Sequence, residues 1–169
     1  MGIGGGADGV SSVSYTHLDV YKRQGYRVSA FLALTRFSVR EVDGYRVLIG
    51  GNKTDAGRDC IVPIHPKIAP IIDTWLAKGG ETIFCKEDGS AMSANYFRTE
   101  CYYPALQAMD LPMYSPHATR RTFSTRLSAA GVREEDIIAL VGHTSIQVDR
   151  ESYINQETKT LASAIKRLG

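Results

Sequence analysis

A histidine and an arginine three residues apart, His117 and Arg120, fall in the first turn of a helix that Ser115-Pro116 would open. That spacing sets both side chains on one helix face. The unpaired backbone N–H groups and the positive dipole end of such a turn favour an anion. A group that can give or take a proton then stands beside a permanent cation, which suits a phosphate whose charge grows during reaction. Taken alone, the pair reads more simply as a solvated histidine and a salt-bridging arginine.

Four further residues are each weak alone. Gly142-His143 closes a short helix, where a histidine commonly serves as a cap. Tyr153 follows His143 by ten residues, between Arg150-Glu151 and Asn155. It is one tyrosine of nine, and a phenol with an ordinary pKa near 10 needs assistance to act as a nucleophile. Lys53 lies on the turn Gly51-Asn52-Lys53-Thr54-Asp55-Ala56-Gly57, where a flexible stem suits both plain solvation and proton delivery to a leaving alkoxide. Arg27 opens a short helix and by itself is an ordinary basic residue in solvent.

The elements that must position these residues follow from periodicity. Val28, Phe31, Leu32 and Leu34 predict a short amphipathic helix over residues 27–35. Segments 37–42, 45–50 and 58–64 alternate and are rich in Val and Ile, with turns at Asp43-Gly44 and Asp55-Ala56-Gly57. They predict a three-stranded antiparallel sheet. The rest is helical: a helix from about 68 ending at Gly79-Gly80, one over 93–109 capped by Ser93, and one from Ser115 to about Ala130. Shorter helices follow over 133–141 and 146–152, and Leu161, Ile165 and Leu168 mark an apolar stripe on a tail helix over about 156–168. The expected fold class is α+β, mainly helical, with a small three-stranded antiparallel sheet on one side.

The six candidates are weak singly, but their order is specific. An arginine, a lysine on a β-turn, H-x-x-R, Gly-His and then a tyrosine resembles the catalytic signature of the tyrosine recombinase/phage integrase family. The surrounding segments GYRVSAFLALT, NKTDAGRDCIVPI, SPHATRRTFSTRLSAAGV and ALVGHTSIQVDRESYIN are similar to the boxes of that family, over about 25–155. The resemblance implies a catalytic domain that cleaves and rejoins double-stranded DNA through a 3′-phosphotyrosyl intermediate. By resemblance Arg27 and Arg120 clamp the scissile phosphate, Lys53 protonates the departing 5′ oxygen, and His117 is the acid/base partner of the tyrosine hydroxyl. His143 resembles a further donor to the phosphate and Tyr153 the nucleophile. Arg121, Arg126 and Lys53 are the expected DNA-binding contacts.

The resemblance also implies no cofactor and no metal, a monomer when free, and a tetramer when assembled on DNA. It leaves the tail helix free to dock on a neighbouring protomer or to cover its own core. Ala30 departs from the family pattern, which commonly carries a glutamate three residues after the first arginine, and this puts the support of Arg27 in doubt. Two alternatives stay open: a DNA-binding or assembly module that does not cleave, and a topoisomerase-like relaxing enzyme.

Bulk properties bound the reading. The chain has 169 residues, 43% hydrophobic and 22% charged, enough for one soluble domain with its own core. Its net charge of +2 does not by itself indicate a nucleic-acid partner, although residues 111–133 hold Arg120, Arg121, Arg126 and Arg133 with no acid. Three scattered cysteines without a C-x-x-C pair suggest reduced thiols, hence a cytoplasmic protein, and no apolar run approaches a membrane span. Residues 1–24 read differently from the remainder. A Gly/Ser-rich start precedes VSYTHLDVYKRQ, which resembles a translated adapter. The segment is expected to be flexible and tag- or adapter-like, with no role for Tyr15, His17 or Tyr21. The catalytic domain is then expected over 25–169, without the DNA-binding domain that precedes it in full-length relatives.

Overall fold

A computed structural model describes residues 12–50, 60–141 and 150–168, with side chains over 16–50, 60–141 and 158–168. Helix α1 (Ser12–Gln24) leads into the short α2 (Val28–Leu32), a 3-10 turn (Arg36–Ser38), and strands β1 (Val39–Val42), β2 (Tyr45–Gly50) and β3 (Cys60–Pro63). Then come α3 (Ala69–Lys78), α4 (Ala94–Tyr96), a π-helical turn (Phe97–Tyr102), α5 (Tyr103–Ala108), α6 (Pro116–Ala129), α7 (Glu134–Val141) and α8 (Arg150–Lys166). The mainly helical α+β expectation holds.

The sheet runs β1-β2-β3, antiparallel throughout. Its first turn is set by two residues. Asp43 and Gly44 both take positive φ (51° and 76°), the backbone of a two-residue hairpin whose twist matches the strands. Val42 pairs with Tyr45 across it. The second hairpin, residues 51–59, lies outside the described residues. β1 is shorter than expected because Arg36–Ser38 coils into the 3-10 turn.

Helix α3 stops where glycine permits it, at Gly79 with φ 70°. The helix expected over 93–109 is present but changes winding midway. Ser93 accepts a hydrogen bond from the Tyr96 N–H (3.1 Å) and starts it, and the π turn then rotates Phe97, Cys101 and Tyr102 into the core. The two C-terminal helices expected over 146–152 and 156–168 are corrected to one continuous α8 from Arg150, since 150–166 contains neither Gly nor Pro. Leu161, Ala164, Ile165 and Leu168 are buried in the chain's own core, with α8 packed on β2, β3 and α7.

The largest departure is α1. The expected flexible segment is a helix over Ser12–Gln24, packed on α3, the π turn, α5 and α6. His17, Val20, Tyr21 and Gln24 are all buried, spaced as i, i+3, i+4 and i+7 on one face. Tyr21 joins an aromatic cluster, edge-on to Phe31 at 5.3 Å and to Phe97 at 5.5 Å. Burying such rings supplies about 2–3 kcal/mol each, enough to hold a helix that is polar at its neighbouring positions.

His17 carries the cost. Its ring stacks on Trp75 at 4.3 Å and meets Phe84 edge-on, and neither ring nitrogen has a hydrogen-bond partner among the described residues. Burial, then the Lys78 charge, pushes the imidazole down to about 4. The unfolded chain therefore binds a proton at His17 that the folded chain refuses between about pH 6.5 and 4. Folding stability should fall through that window on acidification, by on the order of 3 kcal/mol from this group. Urea unfolding of the wild type and of His17→Leu across that range checks this: the difference between them should widen toward pH 4, and a constant difference speaks against it.

Candidate anion site

Helix α6 owes its start to two tyrosines. The Tyr21 hydroxyl donates to the Pro116 carbonyl (3.1 Å), and the Tyr102 hydroxyl lies 3.2 Å from the Ser115 carbonyl and 2.7 Å from Thr119 Oγ1. Ser115 occupies the N-cap as expected, yet its hydroxyl makes no capping bond. No side-chain cap among the described residues thus occupies the first-turn N–H groups, and the turn carries no acid. Tyr21, set aside in the sequence reading, is in fact a support of this turn. Burial, and then Tyr102, raise its hydroxyl pKa, against the charges of Arg120 and Arg98.

Beside that turn opens a hollow of about 430 Å³. Arg27 from the N-cap of α2 and His117 and Arg120 from α6 all line it, so three of the six expected site residues converge. Arg98 and Tyr103 join them from the π turn and α5. No Asp or Glu among the described residues lines it.

Arg120 is the fixed cation. It is 5% exposed, and its guanidinium donates to the Gly25 carbonyl (2.6 Å) and to the Val141 carbonyl. Burial, followed by the like charge of Arg27, pulls its pKa below the ordinary arginine value. The two guanidiniums therefore feel each other, and an anion between them would relieve both. Arg27 is exposed and has no carboxylate partner among the described residues, in keeping with Ala30, buried, in the place of an acid.

Gly25 makes the Arg120 contact possible. Its φ of +68° is left-handed, and a Cβ there would lie 2.6 Å from Cδ1 and Cε1 of Phe123, which is buried. Gly25→Ala should cost about 2–4 kcal/mol, combining left-handed strain with overpacking, and shift the carbonyl that Arg120 holds. A urea midpoint equal to wild type would contradict it.

The other expected residues are placed as follows. Lys53 and His143 lie outside the described residues. Tyr153 falls in the first turn of α8. Arg121 is exposed on α6, one turn after His117, and is not among the residues lining the hollow. Arg126 donates to the Leu168 carbonyl (2.8 Å) and so ties α6 to the tail of α8. Arg133 is spent on a bidentate pair with Asp136, both bonds at 3.0 Å. Sequence reasoning missed Tyr21, Tyr103 and Arg98. A signal for the last existed: Arg98 is the sole Lys or Arg between Lys86 and Arg120.

Fold and hollow together define a helical α+β domain with a small flanking sheet and a basic hollow at the start of α6. The model of the phage integrase family matches residues 10–160, and the chain belongs to that family, the tyrosine recombinases. Among solved structures it is similar to the integrase from mycobacterium phage Brujita, with TM-score 0.69 and 18% identity. The match covers 93% of this chain and 52% of that one, so the chain spans about half the length of that integrase. No curated protein matches the sequence. Among the described residues no helix is long and apolar enough to cross a membrane, and no three His, Cys, Asp or Glu are grouped to hold a metal.

Proposed function

We propose that the chain is the catalytic domain, over 25–169 with α1 as its support, of a site-specific DNA recombinase that cuts and rejoins strands through Tyr153. The observation that supports this most is the convergence of Arg27, His117 and Arg120 on one hollow at the start of α6 that no carboxylate among the described residues lines. A phosphodiester repels nucleophiles by its own charge, and two guanidiniums with a first-turn dipole remove that obstacle. In this reading the Tyr153 hydroxyl oxygen attacks phosphorus while His117 accepts its proton. The P–O5′ bond breaks, and Lys53 gives a proton to the departing 5′ oxygen. His143 donates to the phosphate. A second 5′ hydroxyl reverses the step, so the energy of the broken bond is kept in the phosphotyrosyl ester. Arg121 is the adjoining contact to duplex phosphate. Assembly into a tetramer on DNA, and a cytoplasmic location, belong to the same reading.

The test is a library of nicked duplexes from which the cleaved end diffuses away, trapping the covalent step in the presence of a chelator. A covalent protein–DNA adduct is the expected result. Retention without adduct would leave a binding module, and relaxation of supercoiled plasmid with no preferred site would favour the topoisomerase-like alternative.

A further inference from the structure

The hollow carries more positive charge than one phosphate balances. Arg27, Arg98 and Arg120 line it with His117, against no acid among the described residues. At about 430 Å³ it holds roughly a dozen waters, more room than a single phosphate fills. Arg98 is therefore the surplus: a third guanidinium, from a different wall, with no carboxylate partner among the described residues.

Its position follows from the winding of the chain. The π turn Phe97–Tyr102 buries Phe97, Cys101 and Tyr102 and leaves Arg98 exposed toward the hollow. Such turns distort the helix locally and frequently mark functional positions. Arg98 acts electrostatically on Tyr21, the residue whose hydroxyl holds the Pro116 carbonyl, so its charge is felt at the start of α6. Tyr103, next in the chain after the turn, lines the same hollow. A ring and a guanidinium on one hollow are the groups that take a nucleotide by its sugar or base face and its phosphate together.

We propose that Arg98, with Tyr103 lining the same hollow, is a second phosphate subsite, which grips the nucleotide next to the ester held by Arg27 and Arg120. The subsite rests on the DNA-cleaving reading above. It makes Arg98 a positioning and binding residue: its guanidinium fixes the register of the strand, so that one particular ester reaches Arg120.

The experiment compares wild type, Arg98→Ala and Arg98→Lys on a fluorescent duplex across a salt series, then on duplexes with one neutral methylphosphonate at each linkage in turn. Each lost phosphate contact lowers the slope of log affinity against log salt by about 0.9. Arg98→Ala should lose about that much slope and roughly tenfold in affinity at low salt, while Arg98→Lys keeps the slope. One methylphosphonate position, next to the cleaved ester, should weaken wild type and leave Arg98→Ala indifferent. An unchanged slope, or equal penalties at every linkage in both proteins, overturns the subsite even if the covalent adduct forms. Conversely, a slope loss without any Tyr153-dependent adduct keeps the subsite and removes the cleavage reading.

Discussion

Tyr153→Phe is expected to abolish the covalent protein–DNA adduct and to leave duplex affinity within about twofold of wild type. The exchange removes one oxygen and keeps the ring, so the fold of α8 is not strained. Position 153 lies in the first turn of a helix whose far half is fastened by Leu161, Ile165 and Leu168. About eight residues of helix separate it from Leu161, a distance of about 12 Å along the axis. In the proposed reaction the loss of the hydroxyl is then expected to act on the chemical step. Affinity comes mainly from phosphate contacts, which the phenol does not supply. Adduct quantified after denaturing electrophoresis decides the matter, with anisotropy for binding. Equal adduct from the two proteins would remove Tyr153 from its role.

Arg120→Ala is expected to fail twice, in stability and in rate. Deleting the guanidinium leaves the Gly25 and Val141 carbonyls without their charged donor. Two such losses in a buried place cost about 3 kcal/mol. In the proposed reaction the same deletion would remove a fixed cation from the phosphate, a loss that typically costs about 10²–10³ in rate. Arg120→Lys should restore little, because one ammonium cannot span two carbonyls and still face the hollow. Urea unfolding reads the first effect, and single-turnover adduct formation under folded conditions reads the second. A destabilised variant with an undiminished rate would make Arg120 a structural strut only.

Much of this architecture is legible in the sequence wherever a local pattern and its chemistry coincide. Asp43-Gly44 specifies its hairpin because few other pairs accept two positive φ values, and the helix stop at Gly79 has the same origin. His117 and Arg120 are legible as a pair because a three-residue step needs only a helix to become a shared face. The failures have equally local causes. In α1 the buried face 17, 20, 21, 24 is polar at two of its four positions, which hides the helical period. The inward set of the π turn depends on a winding that the usual 3.6-residue step does not describe, so the place of Arg98 in the hollow was not apparent. Arg126 and Arg133 sit in a stretch that looks uniformly basic, and only packing reveals that the first also donates to the Leu168 carbonyl and the second pairs with Asp136. The glutamate missing at Ala30 was readable; the isolation of Arg27 from any acid among the described residues fits it.

The fork of Arg120 reaches backward ninety-five residues to Gly25 and forward twenty-one to Val141. Arg27 follows the first of these by two positions, and the chain that leads to Tyr153 departs from the second. One side chain thereby holds the start of α2 and the end of α7 together. Displacing either carbonyl pulls on the other through this guanidinium, so the segment that carries Arg27 and the end of α7 are mechanically linked.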